Sequence, residues 1–197
     1  AACTICSIYF DTPNGTSLSE KVESDYHKSK FRLRWYCDLD ENPLPVPSFL
    51  EVKKKQGSAR IKHRVKLPLS GADLMQMPIQ SAELVDLFRE YFPVAITTAP
   101  PLLRPVLELR YVRHRYTHLV YPDAFCFDTN IRSVRTHPRL LPLTQGHPLS
   151  HGVFEQKGSS VDPLPILRAL PRFDIKRQSI SKYFLTILQL RPNSELS

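Results

Sequence analysis

Basic residues recur at every second position in this chain, segment after segment, and few folds can accommodate that. In Lys30-Phe-Arg-Leu-Arg-Trp-Tyr36, the alternation of an extended strand puts Arg32 and Arg34 on one face and Phe31, Leu33 and Trp35 on the other. Phe49-Leu-Glu-Val-Lys-Lys-Lys55 does the same with Glu51, Lys53 and Lys55. The pattern returns in Lys62/Arg64/Lys66, Glu108/Arg110, Tyr111/Arg113/Arg115 and Glu155/Lys157. One such face reads equally well as wet outer surface. Many together read better as a wall that meets a polyanion, because neighbouring cations repel unless water, carboxylates or a bound anion separates them.

The rest of the composition agrees with a folded chain. At 197 residues and 42% hydrophobic, one domain over residues 1–197 with a sizeable core is expected. The net charge of +8 favours phosphate chains, nucleic acid or anionic lipid as partners. No apolar run reaches the ~18 residues of a membrane span, and a reducing, cytoplasmic setting is the default reading of four scattered cysteines. Cys3-x-x-Cys6 lacks the second pair that a zinc site needs, and His137, His147 and His151 lack ligand spacing, so they read as solvated loop residues.

Strands are expected at 5–11, 30–37, 48–55, 59–67, 104–120, 124–128 and 153–158, with Pro68 ending the fourth. Gln56-Gly57-Ser58 is a hairpin turn, which makes its flanking strands antiparallel. Residues 16–29 read as a loop or short helix, and 133–152 as a loop. Ser81–Phe92 shows a helical stripe of Leu84, Leu87, Phe88 and Tyr91, and shorter helices are expected at 162–170 and 179–190. The class is therefore α+β around a largely antiparallel sheet. Arg110 and Arg113 lie on opposite faces of their strand, so without a bulge only one can face an anion; Leu107, Leu109 and Tyr111 share the Arg113 face. Glu51, Glu108 and Glu155 could each hold a divalent ion.

Eight segments stand in an order that resembles a known family. They are Ser7-Ile-Tyr-Phe-Asp-Thr12, Lys30–Tyr36, Phe49–Lys55, Ile61-Lys-His-Arg-Val65, Glu108–Tyr116, Phe127-Asp-Thr-Asn-Ile131, Phe154-Glu-Gln-Lys157 and Ile180-Ser-Lys-Tyr183. Together they resemble the VTC domain, the polyphosphate polymerase domain of the vacuolar transporter chaperone complex and related bacterial proteins. That family lies within the triphosphate tunnel metalloenzymes, the CYTH-like superfamily. The resemblance implies an antiparallel eight-stranded β tunnel with flanking helices. In it the terminal phosphate of ATP passes to polyphosphate or inorganic phosphate with Mn2+ or Mg2+ assisting, in a larger assembly. By matching position, Arg32, Arg34, Lys53, Lys62 and Arg113 are implied as the catalytic cations. Tyr111, Lys157, Ser181 and Lys182 are implied as substrate-binding residues, and Glu155 as the metal-binding residue. Tyr111-x-Arg113 would settle the parity question for Arg113.

Three departures stand beside the resemblance. An arginine of the family is Ala124 here, a lysine is Ser179, and a first strand of the family would fall before residue 1. Two further readings stay open. A tripolyphosphate or nucleoside triphosphate hydrolase would use the same tunnel. A non-catalytic sensor of polyphosphate or inositol polyphosphate is favoured by Ala124. Nucleic acid is not expected, because carboxylates alternate with the cations and no known module is present.

Overall fold

The computed structural model describes residues 2–23, 26–91, 102–117, 124–157, 165–173 and 179–191. Seven strands form one antiparallel sheet: β1 (Ala2–Asp11), β2 (His27–Cys37), β3 (Pro47–Gln56), β4 (Ala59–Ser70), β5 (Arg104–Thr117), β6 (Ala124–Thr136) and β7 (Val153–Lys157). Their order is β4-β3-β2-β1-β5-β6-β7. Four helices, α1 (Thr16–Glu23), α2 (Gly71–Gln76), α3 (Ala82–Tyr91) and α4 (Lys182–Leu190), and a 3-10 helix at Pro165–Phe173 complete the described elements. No helix among them is long and apolar enough to cross a membrane.

The sheet is curled. Laid flat, its outer strands would stand about 29 Å apart. Yet Lys62 and Arg64 at the β4 edge line the same cavity as Glu155 of β7 at the other. The architecture is thus a half-barrel. Seven strands, not eight, are found among the described residues, and no pairing of β4 with β7 is among them.

Both faces of the central strands are buried, which alternation alone does not reveal. The convex face carries Cys6, Ile8, Phe10, Phe31, Leu33, Trp35, Leu50 and Val52, covered by Leu74 of α2 and by Leu84 and Phe88 of α3. Packing there is tight: a Cβ at Gly71 would meet Trp35 Cδ1 at 2.6 Å. The concave face carries a second apolar cluster of Ile5, Tyr9, Leu107, Leu109 and Tyr111, closed by Tyr183 and Ile187 of α4. Cys3 packs against this second cluster, whereas Cys6 lies in the first, 3.5 Å from Cys37 Sγ. Three residues apart in a strand, Cys3 and Cys6 face opposite ways.

Several boundaries differ from expectation. Pro68 does not end β4, which runs on to Ser70. β4 is an edge strand, where a residue without an N–H costs no ladder bond. β6 extends to Thr136, taking in residues expected to be loop. Residues 16–23 form a helix, with Asp11 Oδ1 accepting from the amide of Ser17 near its start. His137 is buried at 8% exposure, while His147 and His151 are exposed as expected. The expected helix at 162–170 begins outside the described residues, which resume at Pro165.

The Glu108/Arg110 pair faces away from the concave side. Arg110 donates to Glu108 Oε1 and Glu41 Oε2, both at 2.7 Å. Arg132 bonds Glu41, and Arg135 bonds Glu108 and the carbonyls of Leu74, Met75 and Met77. This network ties β5 and β6 to the end of α2, where carbonyls lack helical partners. The charges here hold the fold and belong to no anion site.

Candidate functional site

Strand register arranges the concave charges in rungs. Arg32 lies opposite Glu51, and Glu51 opposite Arg64. One step along, Lys30 lies opposite Lys53, and Lys53 opposite Lys62. With Tyr9, Tyr111, Arg113, Arg115, Cys126, Glu155 and Lys182, these residues line a cavity of about 530 Å³. Nine basic side chains face two carboxylates, Glu51 and Glu155. An excess of that size in a walled space produces a strongly positive potential and selects anions.

Glu51 organises the arginines. It is 3% exposed. Its Oε2 accepts from Arg32 Nε at 2.6 Å and Nη2 at 2.5 Å, with Arg34 at 3.6 Å, while Arg64 sits 3.4 Å from Oε1. Burial pushes the Glu51 carboxyl up, but Arg32 and Arg34 overcome this and hold it at about 2. Arg32 Nη1 also donates to Tyr9 Oη at 3.2 Å. Arg34 donates to Ser7 Oγ at 3.4 Å and Tyr111 Oη at 3.3 Å. The two guanidinium forks are thereby held before any ligand arrives, which lowers the entropy lost on binding.

Burial would raise the Tyr9 phenol, yet Arg32, Lys30 and Arg34 beside it bring it below the ordinary phenol value. Burial in turn lowers the Lys30 ammonium, opposed by Tyr9. An ultraviolet titration should therefore show one tyrosine ionising ahead of the others. Tyr9→Phe should remove that early step; if it persists, the phenolate belongs elsewhere.

A second buried carboxylate joins the far wall to α4. Asp128, fully buried, accepts from Arg113 Nε and Nη2 at 2.7 and 2.8 Å, and Lys182 Nζ lies 2.7 Å from Oδ2. Burial pushes Asp128 up, but Arg113 and Lys182 bring it below the ordinary carboxylate value. Glu155 stands at the cavity wall with its side chain 41% exposed and Oε2 3.6 Å from Arg113 Nη2. Among the described residues no three His, Cys, Asp or Glu side chains gather as a cage for a metal ion. A hard divalent cation that takes most of its ligands from substrate phosphates needs only one or two carboxylates. Glu155 fits that role, whereas Glu51 and Glu108 are engaged by arginines.

Of the residues singled out in the sequence, Arg32, Arg34, Lys53, Lys62, Tyr111, Arg113, Glu155 and Lys182 are brought together in this cavity. Ser181 is not among its lining residues. Its Oγ accepts from the Phe184 amide at 3.4 Å and caps α4, as a serine ahead of a helix does. Lys157 pairs with Ala124 through the backbone, and its side chain lies outside what is described. Arg64 and Arg115 were read as members of cationic faces but not named as site residues, and Lys30 was not named, although each is one alternation step from a named residue. Tyr9, Cys126, Ile180 and the Asp128–Lys182 pair left no local signal. Ser179 has its Oγ 3.5 Å from Lys28 Nζ.

The model of one protein family, the VTC domain, matches residues 1–191. The chain belongs to the VTC domain family. A search of the curated proteins finds no match. Among solved structures, a candidate adenylate cyclase from Bacillus halodurans is similar at 15% identity and a TM-score of 0.49, over 91% of this chain and 79% of that one. For this VTC domain, the resemblance read from eight short segments and the match over nearly the whole chain agree. The tightly bonded parts of the cavity, Arg32–Glu51–Arg34 and Arg113–Asp128–Lys182, fall inside the matched span.

Proposed function

We propose that this VTC domain is a phosphotransferase that moves the terminal phosphate of ATP onto a polyphosphate chain or inorganic phosphate within the cavity. The observation that carries this reading is the convergence of nine cations from β2, β3, β4, β5 and α4 on one space of about 530 Å³. Phosphoryl transfer asks little covalent work of a protein; positioning and charge neutralisation supply most of the rate. Arg32 and Arg34 grip phosphate oxygens with their preset forks. Lys53 and Lys62 at the exposed side neutralise the chain as point charges. Arg113 and Lys182 hold the opposite side, with Tyr111 beside them. An acceptor oxygen attacks the γ-phosphorus in line. The bond from the β–γ bridging oxygen to that phosphorus breaks, and ADP leaves with the electron pair. Glu155 would hold Mn2+ or Mg2+, which would supply charge neutralisation to the transferring phosphoryl group.

A second reading, a non-catalytic sensor of polyphosphate or inositol polyphosphate, is favoured by alanine at position 124. One assay separates the two: incubation with ATP and Mn2+, followed by analysis for polyphosphate and free phosphate. Polyphosphate supports the transferase, free phosphate alone a hydrolase of the same cavity, and binding without either the sensor. Glu155→Gln is expected to lower turnover by about 10²-fold while leaving metal-free tripolyphosphate binding within about twofold of wild type. Equal loss of both would remove Glu155 from the metal role.

A further inference from the structure

Cys6 and Cys37 are two buried thiols that the cavity does not use. Register sets Cys6 opposite Trp35 and Cys37 opposite Thr4, so the two cysteines are diagonal neighbours on the convex face of β1–β2. Both are free thiols, with their sulfurs 3.5 Å apart. A disulfide holds its sulfurs at about 2.05 Å, so bonding asks for a closure of about 1.5 Å. The hydrogen bond within the pair brings the Cys37 thiol below its ordinary value and pushes Cys6 up, which makes Cys37 the sulfur that ionises first. Burial opposes that ionisation. Arg110, opposite Cys6 on β5, favours it, and Glu41 and Glu108 weaken the help.

Both side chains are fully buried, so oxidation needs a local opening. The end of β2 supplies one. β2 pairs with β3 only from His27 to Arg34, and Trp35, Tyr36 and Cys37 are laddered to β1 alone. Their other side is held by a bridge from Cys37 to Pro43 and a bond from the Leu44 amide to the Tyr36 carbonyl. Cys6 lies mid-strand in β1, paired on both sides, so fraying reaches Cys37 first. We infer that Cys6 and Cys37 are a redox-active pair that a hydroperoxide converts to a reversible disulfide stapling β1 to β2. The Cys37 thiolate attacks one peroxide oxygen. The O–O bond breaks, and the other oxygen leaves with the electron pair and takes up a proton. Cys6 sulfur then attacks the sulfenic Cys37 sulfur; the S–O bond breaks, and hydroxide leaves as water with the Cys6 proton. With hydrogen peroxide, two thiols and one peroxide give one disulfide and two waters. The bond spans a separation of 31 positions, so it restrains the unfolded chain and stabilises the fold.

The test treats the folded full chain with hydrogen peroxide, counts thiols after unfolding and maps the cross-linked peptides. Free thiols should fall from four to two, with Cys6 and Cys37 joined. The melting temperature should rise by roughly 5–10 °C, and dithiothreitol should reverse both changes. Cys3→Ser should keep the cross-link, and Cys37→Ser should lose it together with the temperature shift. If Cys37→Ser has no melting transition, the peptide map of the wild type decides alone. Four thiols left under peroxide that fully oxidises a short dithiol peptide overturn the pair. So does a cross-link through Cys3 or Cys126, or a Cys37 that stops at the sulfinic acid. A Cys6–Cys37 bond that leaves the melting temperature unchanged, or lowers it, overturns the staple.

Discussion

Glu51→Gln is expected to lose about 3–5 kcal/mol of folding stability, the usual cost of removing one partner from a buried ion pair. Glutamine keeps the shape and removes the charge that Arg32, Arg34 and Arg64 share. Three guanidinium groups on one wall would then repel without compensation. The same excess should make tripolyphosphate bind more tightly, because an anion restores what the carboxylate supplied. Denaturant unfolding with and without tripolyphosphate reads both effects, and the ligand should stabilise the variant more than wild type.

The acid limb carries a second signature of the same residue. Glu51 is held at about 2, below its ordinary value of 4.5. Its contribution, on the order of 3 kcal/mol, is present above the ordinary value and is lost as pH falls through 2. Wild-type stability should therefore decline between about pH 4.5 and 2, and Glu51→Gln should show a flatter limb in that window. A variant as stable as wild type at neutral pH, with an unchanged acid limb, would refute the role assigned to this carboxylate.

Arg34→Ala should reduce polyphosphate formation from ATP by about 10²–10³-fold, the scale seen when one preset donor to a transition state is removed. Its fork is aimed by Ser7 and Tyr111, both buried, so little reorganisation remains to be done at the moment of transfer. Arg34→Lys should recover only part of the loss, because an ammonium supplies charge without the bidentate geometry. Arg110→Ala is the control. It breaks the convex network with Glu41 and Glu108, so it should cost stability and leave tripolyphosphate affinity nearly unchanged. If Arg34→Ala retained full turnover, the chemistry would lie outside the Arg32–Arg34 wall.

By itself, the amino-acid sequence determined which residues share a face. Alternation follows from the direction of Cβ in an extended chain, so the sets Arg32/Arg34, Glu51/Lys53 and Lys62/Arg64 could be read locally. The order of short segments was enough to reveal the family. Local rules could not say what each face meets. Glu108/Arg110 and Tyr111/Arg113 look alike along the chain, yet one pair ties α2 to the sheet and the other lines the cavity. Tertiary structure made that choice, because the curl of the sheet decides which side is concave. It also brought Arg34 to Tyr111, 77 residues away, and Lys182 to Asp128. Such pairs form when distant strands close around a shared space, and that closure leaves no periodic trace in either strand.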